Sequence, residues 1–470
     1  MSGIMEVVES SVWEAVAPSS SNPPNSKPAG RCGHVAVSSR DGQSLVVIGG
    51  YNPEGILTDV WEFHLERREW DRVNLAGPSL PERAYSRGCS GPPPPLGAGQ
   101  NSQRGEEGEG VYVYIYGGSD AEGNATNDVW CLDVENRTWH EVHGDQELQE
   151  SLVRTGLPCA RSNHAMCRMG DTLAVHGGES SSGSLLDDLW FFHPASASWR
   201  EADDSSATTA AAGAGGARPC PRSSHCIAFA HKQPSAGILV LCGGLGQVDN
   251  NNEIGEDDDD EEEEETMPLN DLWVMSPTTT TVPGGGGDGE AERGNFSRVC
   301  GVWSLVMLDG IGPSPRSLAA FVSGSGDGGG ADGADLFLFG GYGFVELPRN
   351  GHSMTADGRE EEEGEGGDII MAYIDDLWRL SLGGIETCGD GSGLDDTLAA
   401  AAAAGSAAPA AEWTDEAGMG FPGESIVEGR NGHSLTWCGD KLVLFGGFVG
   451  DGFDAGVHVA GPPSSSSALD

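Results

Sequence analysis

Ser44–Gly50 reads SLVVIGG, a short apolar run closed by two glycines. The pattern returns as VYVYIYGG ending at Gly118, TLAVHGG at Gly178, ILVLCGG at Gly244, LFLFGG at Gly341 and KLVLFGG at Gly447. β-Branched and aromatic residues make each run a strand, and the glycine pair lets the chain leave it through backbone conformations that side chains disfavour. After each of the first five pairs come Asp, an aliphatic residue and Trp: TDVW at Trp61, NDVW at Trp130, DDLW at Trp190, NDLW at Trp273 and DDLW at Trp378. A second Trp follows at Trp70, Trp139 and Trp199, and behind insertions at Trp303 and Trp413. An Arg precedes every run, in GRCGH, ERAYS, ARSNH, PRSSH, PRSLA and GRNGH. One unit is thus an Arg segment, a Gly-Gly strand, an Asp-aliphatic-Trp strand and a Trp strand.

This order resembles the kelch repeat, and the likeness runs from Trp13 to about Ala460. The resemblance implies an all-β fold, a six-bladed kelch-type β-propeller in which four-stranded blades surround a central channel and bury their faces against one another. Blades are expected at roughly 28–73, 80–142, 158–202, 219–306, 313–415 and 428–460, within one domain spanning 11–460. The sixth unit lacks its Asp-aliphatic-Trp motif and offers only Gly456–Val459 as a third strand, while Ser11–Val16 stands unassigned ahead of the first Arg segment. The N-terminal strand is therefore expected to close the ring as the missing strand of blade six, which also removes an open sheet edge. The paired Trp residues are expected to pack blade against blade.

The chain has 470 residues, with Lys+Arg 25 against Asp+Glu 73 and a formal net charge of −48. That balance repels phosphate backbones and anionic surfaces, so neither nucleic acid nor membrane is expected as a partner. Met1–Ser10 does not read as a leader and no run approaches the ~20 apolar residues of a membrane span, so a cytoplasmic or nuclear protein is expected. Eleven Cys without a CxxC pair signal neither a disulfide framework nor a zinc site. The acidic and Gly/Ala-rich insertions at Ser90–Gly110, Ala202–Ala217, Gly246–Met267, Thr278–Arg293, Gly343–Met371 and Gly383–Ala411 are expected to be disordered loops, as are the tails 1–10 and 461–470. Two acidic runs, Glu256–Glu265 and Glu360–Glu365, follow Gly-Gly pairs on neighbouring blades.

In kelch proteins that capture peptides, the resemblance implies that residues of the Arg segment and those after Gly-Gly line a bowl on one face. Here these are Arg31, Arg83, Arg161, Arg222, Arg316 and Arg430, with Ser162, Ser223, Ser317 and Asn431 beside them, and Tyr51, Tyr342 and Phe448 directly after the glycines. A guanidinium offers a two-donor fork to a carboxylate. Equally, each Arg can brace its own blade through backbone carbonyls or the Asp before the Trp, and the two readings are not exclusive. His34, His164, His225 and His433 recur three residues after the Arg, replaced by Ser86 and Ala319 in blades two and five. One per unit, with no recurring carboxylate or thiol, suits core histidines better than a metal site.

The expected function is a protein–protein interaction module that binds peptide segments of partner proteins in the bowl, as an adaptor or substrate receptor. An acidic scaffold for basic proteins is the alternative. A kelch-fold metal oxidase is less favoured, because the seven Tyr form no copper-binding set with His and Cys and no G-x-S-x-G, P-loop or H-E-x-x-H occurs. No catalytic residue, metal or cofactor is expected. The resemblance adds ubiquitin-ligase components as a partner class, although no BTB or F-box module is recognised ahead of the repeats.

Overall fold

The apolar runs before the glycine pairs are buried on both faces: Leu45–Ile48 and Leu442–Phe445 are at most 2% exposed. Continuous burial requires cover on both sides of the sheet, so each such strand lies inside a stack of layers. The computed structural model describes residues 13–17, 27–94, 110–143, 156–202, 218–230, 237–247, 266–282, 296–306, 312–324, 335–346, 369–382, 411–415 and 427–461. Among them the only helical element is the 3-10 turn Pro194–Ser196, and no helix is long and apolar enough to cross a membrane. The chain is all-β and consistent with a β-propeller.

Four antiparallel strands make the body of each main sheet, in chain order from one edge to the other except in the last, and in the third Arg161–Ser162 adds a short fifth strand along Thr172–Ser180. The first sheet is Val35–Ser38, Ser44–Asn52, Gly55–His64 and Glu69–Arg72. The second is Arg87–Gly91, Tyr112–Tyr116, Val129–Asp133 and Thr138–His143. The third is Ala165–Met169, Thr172–Ser180, Leu185–His193 and Ser198–Glu201. The fourth is Cys226–Ala230, Ile238–Cys242, Leu272–Met275 and Trp303–Leu305. The fifth is Ala320–Ser323, Asp335–Phe339, Leu377–Ser381 and Glu412–Asp415. The last holds Ser434–Cys438, Lys441–Phe445 and Val457–Ala460, and its fourth strand is Trp13–Ala15, with Trp13 opposite Ala460.

Apolar clusters lie between the sheets, each drawing on two. Val46 and Ile48 meet Val113, Ile115 and Trp130, and Tyr114 and Tyr116 meet Val175 and Trp190. Ala174 and Phe191 meet Ile227 and Leu239, and Val240 and Val274 meet Leu338 and Trp378. Phe337 and Phe339 meet Leu442, Leu444 and Trp13, and Val443 and Phe445 of the last sheet meet Leu45, Val47 and Trp61 of the first. Trp13, 5% exposed, sets its ring edge-on to Phe339 with centroids 5.4 Å apart.

The expectation of disorder in the insertions needs correction at their ends. Leu245–Gln247 pairs with Thr266–Pro268, Thr278–Val282 with Phe296–Cys300, and Tyr342–Glu346 with Ile369–Tyr373. The physical reason is composition: TTTTV is a β-branched run, and YGFVE and IIMAY are rich in β-branched and aromatic residues, all strand formers at the flanks of acidic or Gly-rich tracts. The acidic runs Glu256–Glu265 and Glu360–Glu365, the interiors of the other insertions and the tails 1–10 and 462–470 lie outside the described residues.

Candidate functional site

Each repeat Arg folds back against the glycine pair of its own unit. Arg222 shows the arrangement: Nη1 donates to the Gly243 carbonyl at 3.1 Å, Nη1 and Nη2 grip the two Asp271 oxygens at 2.7 and 2.6 Å, and Nε donates to the Cys220 carbonyl at 3.1 Å. Asp271 in turn accepts the indole N–H of Trp273 at 2.7 Å. This explains the Asp-aliphatic-Trp spacing, because a strand sends residues two apart to the same face. The pairs Arg31–Asp59, Arg83–Asp128, Arg161–Asp188 and Arg316–Asp376 repeat it. In the last unit, which lacks the motif, Asp454 takes the place and accepts from Arg430 at 2.6 Å. Burial pushes the Asp59, Asp128 and Asp188 carboxyls up, but hydrogen bonds from Arg and Trp outweigh it and hold all three below the usual carboxylate range. All six arginines are buried, at 0–4% exposure. Their position is the bracing one: in the first five units both Nη1 and Nη2 are held by the Asp carboxylate, and Arg430 holds Asp454 and the Gly446 carbonyl through Nη1.

The residues after the arginines meet the residues after the glycines. Ser162 faces Glu179, Ser223 faces Leu245, Ser317 faces Tyr342, and the bridges Cys32–Tyr51, Ala84–Ser119 and Asn431–Phe448 complete the set. Ser162, Ser223 and Ser317 are buried there. One residue further on, Gly33, Tyr85, Asn163, Ser224, Leu318 and Gly432 all have φ between 52° and 61°. Their peptides chain sheet to sheet: Asn163 N–H donates to Tyr85, Ser224 to Asn163, Leu318 to Ser224, Gly432 to Leu318 and Gly33 to Gly432, at 2.8–3.0 Å. The corresponding link from Tyr85 to Gly33 is not made. Left-handed backbone is costly for bulky side chains, so Tyr85 and Leu318 are held against their own preference.

The recurring histidines join neighbouring sheets. His34 stands edge-on to Phe445 (centroids 5.1 Å), His164 to Tyr116 (5.1 Å), His225 to His176 (5.0 Å) and His433 to Phe339 (5.3 Å). In each case the partner is the residue just before the neighbouring sheet's Gly-Gly pair. Burial, aided by nearby arginines, pushes all four histidines and His176 well down, so they are neutral. Among the described residues no group of three or more His, Cys, Asp and Glu is placed to hold a metal ion.

Beside the unmade Tyr85–Gly33 link lies a cavity of about 250 Å³, lined by Cys32, Gly33, Tyr51, Tyr85, Arg87, Leu318, Asn431, Gly432, Phe448 and Phe453. Aromatic rings form its wall: Tyr85–Tyr51 at 4.9 Å, Tyr51–Phe453 at 5.8 Å and Phe453–Phe448 at 5.1 Å, continued by Tyr373 at 5.6 Å from Phe448 and Tyr342 at 5.0 Å from Tyr373. Thus Tyr51, Phe448 and Asn431 line the cavity and Tyr342 extends its wall, whereas the six repeat arginines and Ser162, Ser223 and Ser317 are absent from the lining. Burial pushes the Cys32 thiol up to about 11 and the Tyr51 phenol above its ordinary value, so both are neutral.

Arg87 is then the one charged side chain in that lining. It is half-buried, and among the described residues no side chain or carbonyl accepts a hydrogen bond from its guanidinium. Burial lowers its pKa, and only Cys226, Tyr51 and Cys32 act on it in the opposite sense, with no carboxylate among them. Arg87 was missed by reading repeats because it does not repeat. The available signal is the position after the recurring histidine, which holds Val35, Arg87, Ala165, Cys226, Ala320 and Ser434: one cation among small or apolar residues.

Comparison with known proteins matches the KLHDC2/KLHL20/DRC7 Kelch-repeats domain to residues 89–282 and the Kelch motif to residues 30–75. An F-box/kelch-repeat protein of Arabidopsis thaliana is 28% identical over 184 residues, covering 37% of this chain and 33% of its own. Host cell factor homolog hcf-1 of Caenorhabditis elegans is 24% identical over 368 residues, 74% of this chain and 35% of its own. Human Host cell factor 1 is 22% identical over 326 residues, 67% of this chain and 12% of its own. The chain therefore spans about a third or less of the length of these curated relatives.

Proposed function

The chain belongs to the kelch-repeat family, and we propose that it is a protein-interaction module whose channel mouth captures a partner segment carrying a carboxylate. In this reading the six sheets are the blades of one ring closed by Trp13–Ala15, which the pairing with Val457–Ala460 and the clusters shared by the first and last sheets support. The single observation that carries the functional reading is Arg87, a guanidinium without a partner in a chain with a net charge of −48. A charge withdrawn from water without a counter-ion raises the free energy of the empty state, and an incoming carboxylate relieves it. The neighbouring wall of Tyr51, Tyr85, Phe448 and Phe453 suits an apolar or aromatic side chain beside that carboxylate. Ile369, Ile370 and Met371, 69%, 40% and 38% exposed on the strand that carries Tyr373, extend the apolar surface outward.

The test is selection from a display library of short peptides, followed by affinity measurement on wild type and Arg87→Met. Hydrogen bonds to a charged group contribute about 1.5–3 kcal/mol, so the variant should bind the selected peptides roughly ten- to a hundredfold more weakly. Peptides that bind both proteins equally would remove Arg87 from the site. Basic peptides whose binding collapses with salt would favour the acidic-scaffold alternative.

A further inference from the structure

The contact between the fourth and fifth sheets lacks the ring-on-histidine pair found at four others, because Cys242 stands before Gly-Gly and Ala319 replaces the histidine. The absent rings leave a narrow cavity, about 10 Å³, enough for roughly one water-sized molecule. It is lined by Cys226, Cys242, Ala319 and Arg316, and Asn270 at its rim is exposed. Cys226 and Cys242 are direct cross-strand partners in an antiparallel ladder and belong to the same buried cluster, so they share a face. Facing residues in such a ladder have Cα atoms about 4.5–5.5 Å apart, inside the range of about 4.4–6.8 Å that a disulfide bridges. The Cys226 S–H also points to the Ala319 carbonyl, 3.3 Å away across the contact.

We propose that Cys226 and Cys242 form a reactive thiol pair that hydrogen peroxide, admitted through this cavity, converts to a disulfide within the fourth sheet. The Cys226 thiolate attacks one peroxide oxygen, the O–O bond breaks, and Cys226 becomes a sulfenic acid as hydroxide leaves. Cys242 then attacks that sulfur, the S–S bond forms, and the second oxygen departs as water. Two thiols lose two electrons, peroxide gains them, and both thiol protons end in water. The order of events follows from the environment. A hydrogen bond from Cys242, with Arg87 and Arg316 nearby, holds the Cys226 pKa below its ordinary value despite burial, while the same bond and burial push Cys242 up.

The experiment treats the native full chain with stepwise peroxide, alkylates remaining thiols after unfolding, and maps peptides without reduction. Trypsin cleaves after Lys232, so the cross-link joins two otherwise separate peptides. The expected product is the Cys226–Cys242 peptide, formed before the exposed Cys159 is consumed. In Cys242→Ser, dimedone should trap a sulfenic acid on Cys226. Two thiols that both remain alkylatable after Cys159 is fully oxidised would overturn the proposal, and a dimedone adduct on Cys242 in Cys226→Ser but none on Cys226 would reverse the assignment of the attacking thiol.

Discussion

Six arginines recur at one point of the repeat and a seventh stands four residues beyond one of them, yet their surroundings are opposite. Arg83, in the brace, holds both oxygens of Asp128 at 2.7 Å and the Gly117 carbonyl at 3.2 Å. Arg87 lines a cavity where Arg83 has a carboxylate. Repetition with a matched partner marks a structural role, whereas the lone unmatched charge in a strongly acidic chain is the feature on which the proposed binding site rests. The difference can be tested from either side.

The largest effect should come from breaking a brace. Arg222→Met leaves the Asp271 carboxylate with the Trp273 indole alone, and loss of one partner of such a pair costs about 3–5 kcal/mol. Urea unfolding should show a clear drop in midpoint, with Arg222→Lys intermediate because an ammonium lacks the planar fork. An unchanged midpoint in Arg222→Met would mean that the brace contributes nothing. Of similar size is Trp13→Ala, which empties a buried site against Phe339 and should cost ~3–5 kcal/mol if the N-terminal strand belongs to the ring. Equal thermal unfolding of variant and wild type would show that the N-terminal strand contributes nothing to the stability of the fold.

Much of this was legible in the sequence, and the limits have a physical shape. The strand order, the bracing alternative for the arginines and the apolar role of the tryptophans follow from spacing, because strand geometry fixes which residues two apart share a face. Asp454 was hidden, since the last unit keeps the carboxylate but loses the Trp that announces it. The pairing of His164 with Tyr116, or His433 with Phe339, joins residues of different units and is invisible to a reading made within one unit. Arg87 was hidden for the opposite reason: a repeat pattern averages away whatever occurs once. Tyr85, Tyr373 and Phe453 entered the wall unannounced on the same grounds.

A smaller effect links the two regions through pH. His34, His164, His176, His225 and His433 are neutral in the fold, with His176 and His433 lowered to about 3. Unfolded histidine takes up a proton near pH 6.5, so below that value the unfolded chain binds protons that the folded one refuses. Stability should be full above roughly pH 6.5 and fall progressively toward pH 3, by at most ~1.4 kcal/mol per pH unit for each histidine. Urea midpoints at pH 7.5, 6.0 and 5.5 report this, and a flat profile would show that the histidines titrate normally in the fold. Arg87 is one of the charges that lower His34, His164 and His225, so Arg87→Met should make the acid loss shallower.

The most direct test needs no ligand: the unfolding free energy of Arg87→Met at pH 7.5, measured beside Arg222→Met. A guanidinium that braces the fold leaves a deficit when removed, whereas one held ready for an absent carboxylate removes an unmatched charge and fills its place with apolar volume. Arg87→Met is expected to be as stable as wild type or more so, while Arg222→Met falls well below both. A loss in Arg87→Met as large as that in Arg222→Met would contradict this expectation and make Arg87 a seventh structural arginine.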